Sequence, residues 1–461
     1  MRPPILRASF DEITVDLFAG GGGTSTGIEG ALNRPVDVAI NHSPEAIAVH
    51  KANHPETQHY ISNVWEVDPR TAARGRPVGL LWLSPDCTHF SRAKGGKPRE
   101  KKTRSLAYVA IRWARAVRPR VIILENVEEF ETWGPVDNDG EPIKAMAGRT
   151  FKIWRGKLRA LGYHVEHRSL VAADYGAPTT RRRLFLIARR DGERIEWPEP
   201  THGKGQSSPW RSAAEIIDWS LPCPSIFGRE KPLAEATMQR IAEGVQRYVL
   251  NGGSPFVMPI THRGSPRRQH DIGKPLPTVT GSSGGELALV APLLTKSYGG
   301  PNGNRNAGLD VLRPLGTVTA QDHHWLVAAM LSQAGAMPRQ MSFAQDRSDA
   351  VRAFLVKYYG SGGQQQSLFE PLHTVTAVAR FGLVMVHGEP YQISDIGMRM
   401  LAPHELFAAQ GFPAEYVIAP EFEGKPLTKT AQVRLAGNSV SPPVARRLVA
   451  ANVSIRRSEA A

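Results

Sequence analysis

The chain is poor in cysteine, short of acid and without long apolar runs. Two cysteines in 461 residues exclude a disulfide framework and fit a reducing compartment. No stretch approaches the ~18 consecutive apolar residues of a membrane span. The opening Met1-Arg2-Pro3-Pro4-Ile5-Leu6-Arg7 has no apolar core for a signal peptide, so a cytoplasmic protein without membrane contact is expected. Acidic residues number 43 against 57 Lys and Arg, a net charge of +14. That imbalance predicts a polyanionic partner, because clustered cations release counterions from phosphate backbones. With 41% hydrophobic residues the chain is not a disordered one, and its length predicts about two or three domains at ~150 residues each.

One of the two cysteines stands in Ser84-Pro85-Asp86-Cys87-Thr88-His89-Phe90-Ser91, where the apolar run 78–83 stops. A thiol at the end of a buried strand suits a nucleophile. Behind it, residues 92–104 carry seven basic side chains against one acid, with Gly95, Gly96 and Pro98 among them. This reads as a hinged basic loop that closes over a phosphate backbone. The run 121–124 leads into Glu125-Asn126-Val127. In an open α/β sheet such strand ends lie side by side at the catalytic edge. The other cysteine, in Leu221-Pro222-Cys223-Pro224, has no neighbour able to act as base or carboxyl partner.

Residues 13 to about 190 alternate short apolar strands with helical patterns, as a doubly wound α/β sheet requires. Strands are expected at 13–18, 36–40, 79–83, 121–124, 163–170 and 184–188, and helices at 45–53, 105–117 and 150–161. A connection over 196–253 ends in a helix at 233–249. From 254 to 390 the texture changes to Gly, Pro, Thr and short β-like runs, and the chain repeats itself. Pro275-Leu276-Pro277-Thr278-Val279-Thr280 recurs as Pro314-Leu315-Gly316-Thr317-Val318-Thr319 and as Pro371-Leu372-His373-Thr374-Val375-Thr376, spaced 39 and then 57 residues apart. Three β-hairpin-like units forming a β-rich module are expected. Helical patterns return at 403–410 and 444–452, in a segment 391–461 that rejoins the first domain, 1–195.

Asp16-Leu17-Phe18-Ala19-Gly20-Gly21-Gly22-Gly23-Thr24-Ser25-Thr26-Gly27 is a strand, a glycine turn and a helix start, which lets a ligand touch backbone and helix N-terminus. It is no Walker loop, because Ile28 and Glu29 follow Gly27, and Ser25 spoils a dinucleotide fingerprint. Taken in order, this turn, Cys87, Glu125-Asn126-Val127 and Arg181-Arg182-Arg183 resemble the C5-cytosine DNA methyltransferases. Arg399-Met400-Leu401-Ala402-Pro403-His404-Glu405 with Gln410-Gly411-Phe412-Pro413 is similar to that family's ninth motif, and Gln432-Val433-Arg434-Leu435-Ala436-Gly437-Asn438-Ser439-Val440 to its tenth. The resemblance covers 12–190 and 395–453.

The resemblance implies a class I S-adenosylmethionine-dependent methyltransferase fold, a Rossmann-like sheet carrying an inserted β-rich target-recognition domain. It implies Cys87 as the thiolate that attacks a flipped-out cytosine. Glu125 would hold the N3 edge of the base, and Arg181 with Arg183 would keep Glu125 and substrate in register. Phe18, Gly20, Gly22, His42, Asn63, Val64, Asn438 and Ser439 would line S-adenosyl-L-methionine. His42 and Asn63 stand where the family carries acids, and Asp86, Thr88 and Thr179 replace its usual Pro, Gln and Gln. The implied partner is double-stranded DNA, for a monomer of bacterial or phage origin that matches a restriction endonuclease in function without binding it. Two other readings stay open, a tRNA cytosine-5 methyltransferase and a catalytically impaired DNA-binding homologue.

Overall fold

The structure, a computed structural model, describes residues 12–86, 106–137, 141–249, 255–260, 268–281, 285–296, 383–386 and 389–453. Cys87, the basic segment 92–104 and the later two repeat copies lie outside the described residues.

The strands of the first unit are β1 (Ile13–Leu17), β2 (Val38–Asn41), β3 (Gln58–Ile61), β4 (Val78–Leu83), β5 (Val121–Asn126), β6 (His164–Val171) and β7 (Arg182–Arg189). They make one 7-stranded sheet in the order β3-β2-β1-β4-β5-β7-β6. β1 to β5 pair in parallel, whereas β7 runs antiparallel to both β5 and β6. This mostly parallel sheet is the Rossmann-like arrangement expected. Only β3 escaped the sequence reading, because Gln-His-Tyr-Ile has no apolar run and its side chains are half-buried to exposed.

Both faces of the sheet are covered, which is why its central strands read as continuous apolar runs rather than alternating ones. Leu81, Leu83, Ile122 and Leu124 pack on one face with Trp113, Phe130 and Trp154. Leu80, Trp82, Val121 and Ile123 pack on the other with Ile28, Val444 and Leu448. The helices are α1 (Gly23–Leu32), α2 (Pro44–Asn53), α3 (Pro69–Ala73), α4 (Tyr108–Ala116), α5 (Arg149–Ala160), α6 (Glu235–Gly244), α7 (Pro403–Gln410), α8 (Lys429–Asn438) and α9 (Pro442–Asn452). Proline at the first turn of α2, α7 and α9 starts each helix where no N–H is needed. α1 and α9 touch closely: a Cβ on Gly27 would lie 2.5 Å from Ala445 Cβ. The C-terminal segment therefore completes one face of the sheet built by the N-terminal half.

Two compact units emerge, one of Met1–Arg211, Pro275–Gly285 and Ala402–Ala461, the other of Ser212–Lys274 and Glu286–Leu401. The first boundary falls beyond the expected residue 195, because the next residues are tied to the sheet. Trp197 Nε1 donates to Glu166 at 2.9 Å, Tyr175 Oη to Pro198 O at 2.9 Å, and Asn452 Nδ2 to Glu196 O at 2.7 Å. The second unit contains a 5-stranded sheet, order β11-β12-β10-β8-β9. Its strands are β8 (Phe256–Pro259), β9 (His270–Asp271), β10 (Leu287–Lys296), β11 (Leu383–Val386) and β12 (Glu389–Met400). α6, which continues into a π-helical turn at Val245–Val249, belongs with them: Arg240 Nη1 donates to Pro259 O at 2.8 Å. In the first repeat copy the flanking runs pair antiparallel as β8 and β10, but the repeated segment between them does not extend that pairing. Residues 275–281 carry no strand and sit in the first unit.

Candidate active site

A ligand crevice is expected at the carboxyl edge of the first unit's sheet, where strand order reverses between β1 and β4. The glycine turn follows β1 there. Phe18 adopts φ 63°, Gly20 φ 52° and Gly22 φ 91°, a left-handed run that turns the chain sharply into α1. The three residues do not serve alike. A Cβ on Gly20 would meet only Phe18 O at 3.7 Å, so its backbone borders open space. A Cβ on Gly22 would lie 2.2 Å from Tyr416 Oη and 2.8 Å from His54 Nε2, so that glycine is demanded by packing and by its place at the α1 N-cap.

Beneath the turn lies a buried polar chain. Asp16 is fully buried, takes a 2.8 Å hydrogen bond from Ser25 Oγ on one carboxylate oxygen, and leaves Oδ1 without a partner. Burial pushes the Asp16 carboxyl up to about 7, against the Ser25 hydrogen bond. Ser25 Oγ lies 3.0 Å from His50 Nε2, and His50 Nδ1 lies 2.9 Å from His59 Nε2. Burial, then the neighbouring His54 and His59, hold His50 well below the usual imidazole value. An orphaned carboxylate oxygen and the open backbone at Gly20 fit a cationic ligand that reaches the turn.

At the end of β5, Glu125 is buried beside two guanidinium groups. Its Oε1 lies 3.3 Å from Arg183 Nε and 3.9 Å from Arg181 Nη2, without hydrogen-bond geometry to either. Burial raises the Glu125 carboxyl, and the charges of Arg183 and Arg181 only partly offset it. Next to it, Asn126 Nδ2 donates to Pro85 O at 3.2 Å, fastening the end of β5 to the residues that follow β4. Ser84 N–H reaches Leu17 O at 3.3 Å, and Trp82 Nε1 donates to Ser84 Oγ at 2.9 Å. The path that leads into Cys87 is thus tied to the strands bearing the glycine turn and Glu125.

The remaining expected residues fall along the same edge. His42 follows β2 and is exposed; Asn63 follows β3 and is exposed, its Oδ1 taking the Trp65 N–H at 3.0 Å, while Val64 is buried. Ser439 is buried, with Oγ donating to Val440 O at 2.9 Å, and a Cβ on Gly23 would lie 2.1 Å from Ser439 Oγ. Asn438, the last residue of α8, is exposed. The structure adds residues the sequence reading passed over: Asp16, His54, Tyr416 and the segment 275–281. In the sequence Asp16 opens the strand-and-turn motif without a ligand role of its own, and no sequence signal marks His54 or Tyr416. The repeat had marked 275–280, but for another purpose. Among the described residues no group of His, Cys, Asp and Glu could hold a metal, and no helix is long and apolar enough to cross a membrane.

The family model of the C-5 cytosine-specific DNA methylases matches residues 13–234 and 321–453. The type II methyltransferase M.AgeI of Thalassovita gelatinovora is 32% identical over 202 residues, 42% of this chain and 43% of its own length. M.SacI of Streptomyces achromogenes, also a type II methyltransferase, is 30% identical over 209 residues, 41% of this chain and 50% of that protein. The matched part therefore spans about half the length of these curated relatives or less. Among solved structures, a variant of Spodoptera frugiperda DNMT2 aligns with TM-score 0.52 at 16% identity, covering 95% of this chain and 99% of that one, a likeness of fold.

Proposed function

Because this chain belongs to the C-5 cytosine-specific DNA methylase family, we propose that it methylates carbon 5 of a cytosine in double-stranded DNA, with S-adenosylmethionine as donor. The observation that carries the reading is Glu125, a buried carboxyl at a strand end with Arg183 and Arg181 facing it. Carbon 5 of cytosine is a weak nucleophile until carbon 6 is attacked. The Cys87 thiolate makes that bond, and the electrons displaced toward N3 are met by a proton shared with Glu125. Burial favours the protonated Glu125 carboxyl, which suits it to give a proton to N3. Arg183 and Arg181 hold Glu125 and the base edge in one arrangement before reaction. S-adenosylmethionine, when bound, supplies an electrophilic methyl group. Once carbon 5 carries the methyl, its proton passes to solvent water, N3 returns its proton to Glu125, and the Cys87–C6 bond breaks with its electrons leaving on the thiolate.

Gly20 and Phe18 would hold the donor at the turn, with His42, Asn63 and Val64 at the ends of β2 and β3, and Asn438 and Ser439 closing from the C-terminal segment. The ionised Asp16 carboxylate would favour a sulfonium cation. A target base stacked in a duplex reaches this edge only when flipped out. Incubation with methyl-labelled donor and either duplex DNA or tRNA tests the reading. Label in DNA that bisulfite sequencing maps to fixed cytosines is the expected result. Label in tRNA alone, or in neither, would refute it.

A further inference from the structure

The first copy of the repeat expected in a recognition module, residues 275–280, lies in the first unit. Residues 275–281 run through the first unit against Arg181, although the chain on both sides of 275–285 belongs to the second. Thr179 and Leu276 form an isolated parallel bridge. Thr180 N–H donates to Leu276 O at 2.7 Å, and Leu276 N–H returns to Pro178 O at 2.9 Å. The Thr179 hydroxyl works in two directions, donating to Pro277 O at 3.1 Å and accepting the Arg181 N–H at 3.3 Å. Arg181 Nη1 donates to Val279 O at 3.3 Å and to Gly437 O at 2.9 Å. On the far side the fit is tight: a Cβ on Gly437 would lie 2.2 Å from Thr280 C and from Gly281 N.

We propose that residues 275–281 are a positioning strap for Arg181, fastened by Thr179 and seated against Gly437. A buried guanidinium must find acceptors for its N–H groups, and it settles where they are. Pro275 and Pro277 carry no N–H and have restricted φ, so the strap offers carbonyls in a preset geometry. Those acceptors fix where the other end of Arg181 stands, and Nη2 stands 3.9 Å from Glu125 Oε1. Thr179 occupies the position where the family resemblance leads one to expect Gln; here a short hydroxyl serves because the strap comes to it. The proposal rests on reading Glu125 and Arg181 as active-site groups. Thr179 and the strap are positioning elements, with no substrate contact.

The test uses the full chain, with Glu125 followed by carbon-13 carboxyl titration and methyl transfer to DNA measured in parallel. The charged groups facing Glu125 are Arg183 and Arg181. Thr179→Val keeps the shape and removes the hydroxyl. Loosening Arg181 should raise the Glu125 midpoint by about half a pH unit and lower kcat about fivefold, as expected for loss of roughly 1 kcal/mol. The KM for the methyl donor should not change. Thr179→Ser should restore both values. Gly437→Ala, which pushes the strap instead of unfastening it, should shift the midpoint the same way and keeps the proposal testable should Thr179→Val not fold. An unmoved Glu125 midpoint in folded variants overturns the strap, whatever happens to kcat. A moved midpoint in a protein whose wild type transfers no methyl group would uphold the strap and refute the proposed function instead.

Discussion

Tyr416 Oη donates a hydrogen bond of 2.6 Å to the carbonyl of Gly21, joining residues 395 positions apart in the chain. The phenol also lies 3.3 Å from His54 Nε2, and His54 Nδ1 lies 2.9 Å from Glu29 Oε2. The segment after α7 thereby grips the glycine turn after β1. Burial raises the Tyr416 hydroxyl well above its ordinary value, so it remains a donor throughout the working pH range. Tyr416→Phe strands a carbonyl and an imidazole while leaving the ring in place. It should destabilise the protein by about 1–2 kcal/mol. It should also weaken donor binding several-fold, because the turn loses its tether. Thermal unfolding and calorimetric titration with S-adenosylmethionine check the two effects separately.

Asp16 sets a pH dependence of definite sign. Burial pushes its carboxyl up to about 7 in the folded protein, against 3.8 for an unperturbed aspartate. Between these values the folded state holds a proton that the unfolded state has released, so stability falls as pH rises from about 4 to 7. His50, held low by burial, contributes with the opposite sign, because below about 6.5 the unfolded imidazole binds a proton that the folded one does not. Asp16→Asn should remove the falling component and so shift the slope of stability against pH upward across that window, measured by denaturant titration at several pH values. Affinity for the cationic donor should rise as pH passes about 7 in the wild type and not in the Asn variant. An unchanged slope in the variant would remove Asp16 as its source.

The two cysteines should behave oppositely. Cys87→Ala should abolish methyl transfer and leave DNA binding largely intact. Cys223 is buried, and burial pushes its thiol up to about 12, so it holds no thiolate at neutral pH. Cys223→Ala should retain full turnover, with at most a modest loss of stability where its side chain packs near Gly397. Turnover assays and gel-shift measurements on both variants decide this. Activity surviving in Cys87→Ala would end the covalent mechanism.

Site choice should travel with the second unit. Exchanging 212–274 and 286–401 with the corresponding parts of a relative, while keeping 275–285, should transfer the methylated sequence and preserve turnover. Exchanging 254–388 as one block should transfer the site but lower turnover, because the foreign strap must then seat Arg181 against the resident Gly437. Bisulfite sequencing of DNA modified by each hybrid gives the site, and steady-state assays give the rate. Hybrids that keep the original site would move recognition elsewhere.

Legibility followed chemistry that is local in sequence. The runs 78–83 and 121–124 are strands on their own terms, since a strand buried on both faces must be apolar throughout. β3 has no such run and was missed, because its place at the sheet edge leaves Gln58, His59 and Tyr60 half-buried and Ile61 exposed. The turn 16–27, with its glycines and helix start, announced a ligand-facing loop. The pairing of Glu125 with Arg181 and Arg183 was expected from motif order, and the structure supplies its distances.

By itself, then, the sequence determined the sheet-building runs, the glycine turn and which residue types stand at strand ends, because each depends on a few consecutive side chains. Only the tertiary structure decided which glycine borders open space and which is walled by Tyr416 and His54, since that depends on a segment nearly four hundred residues away. It also decided the fate of Pro275–Thr280. A repeat announces common ancestry of its copies, not a common position. Where this copy sits was set by the acceptors Arg181 needs once buried, and by the space that only glycine at 437 leaves beside Thr280 and Gly281.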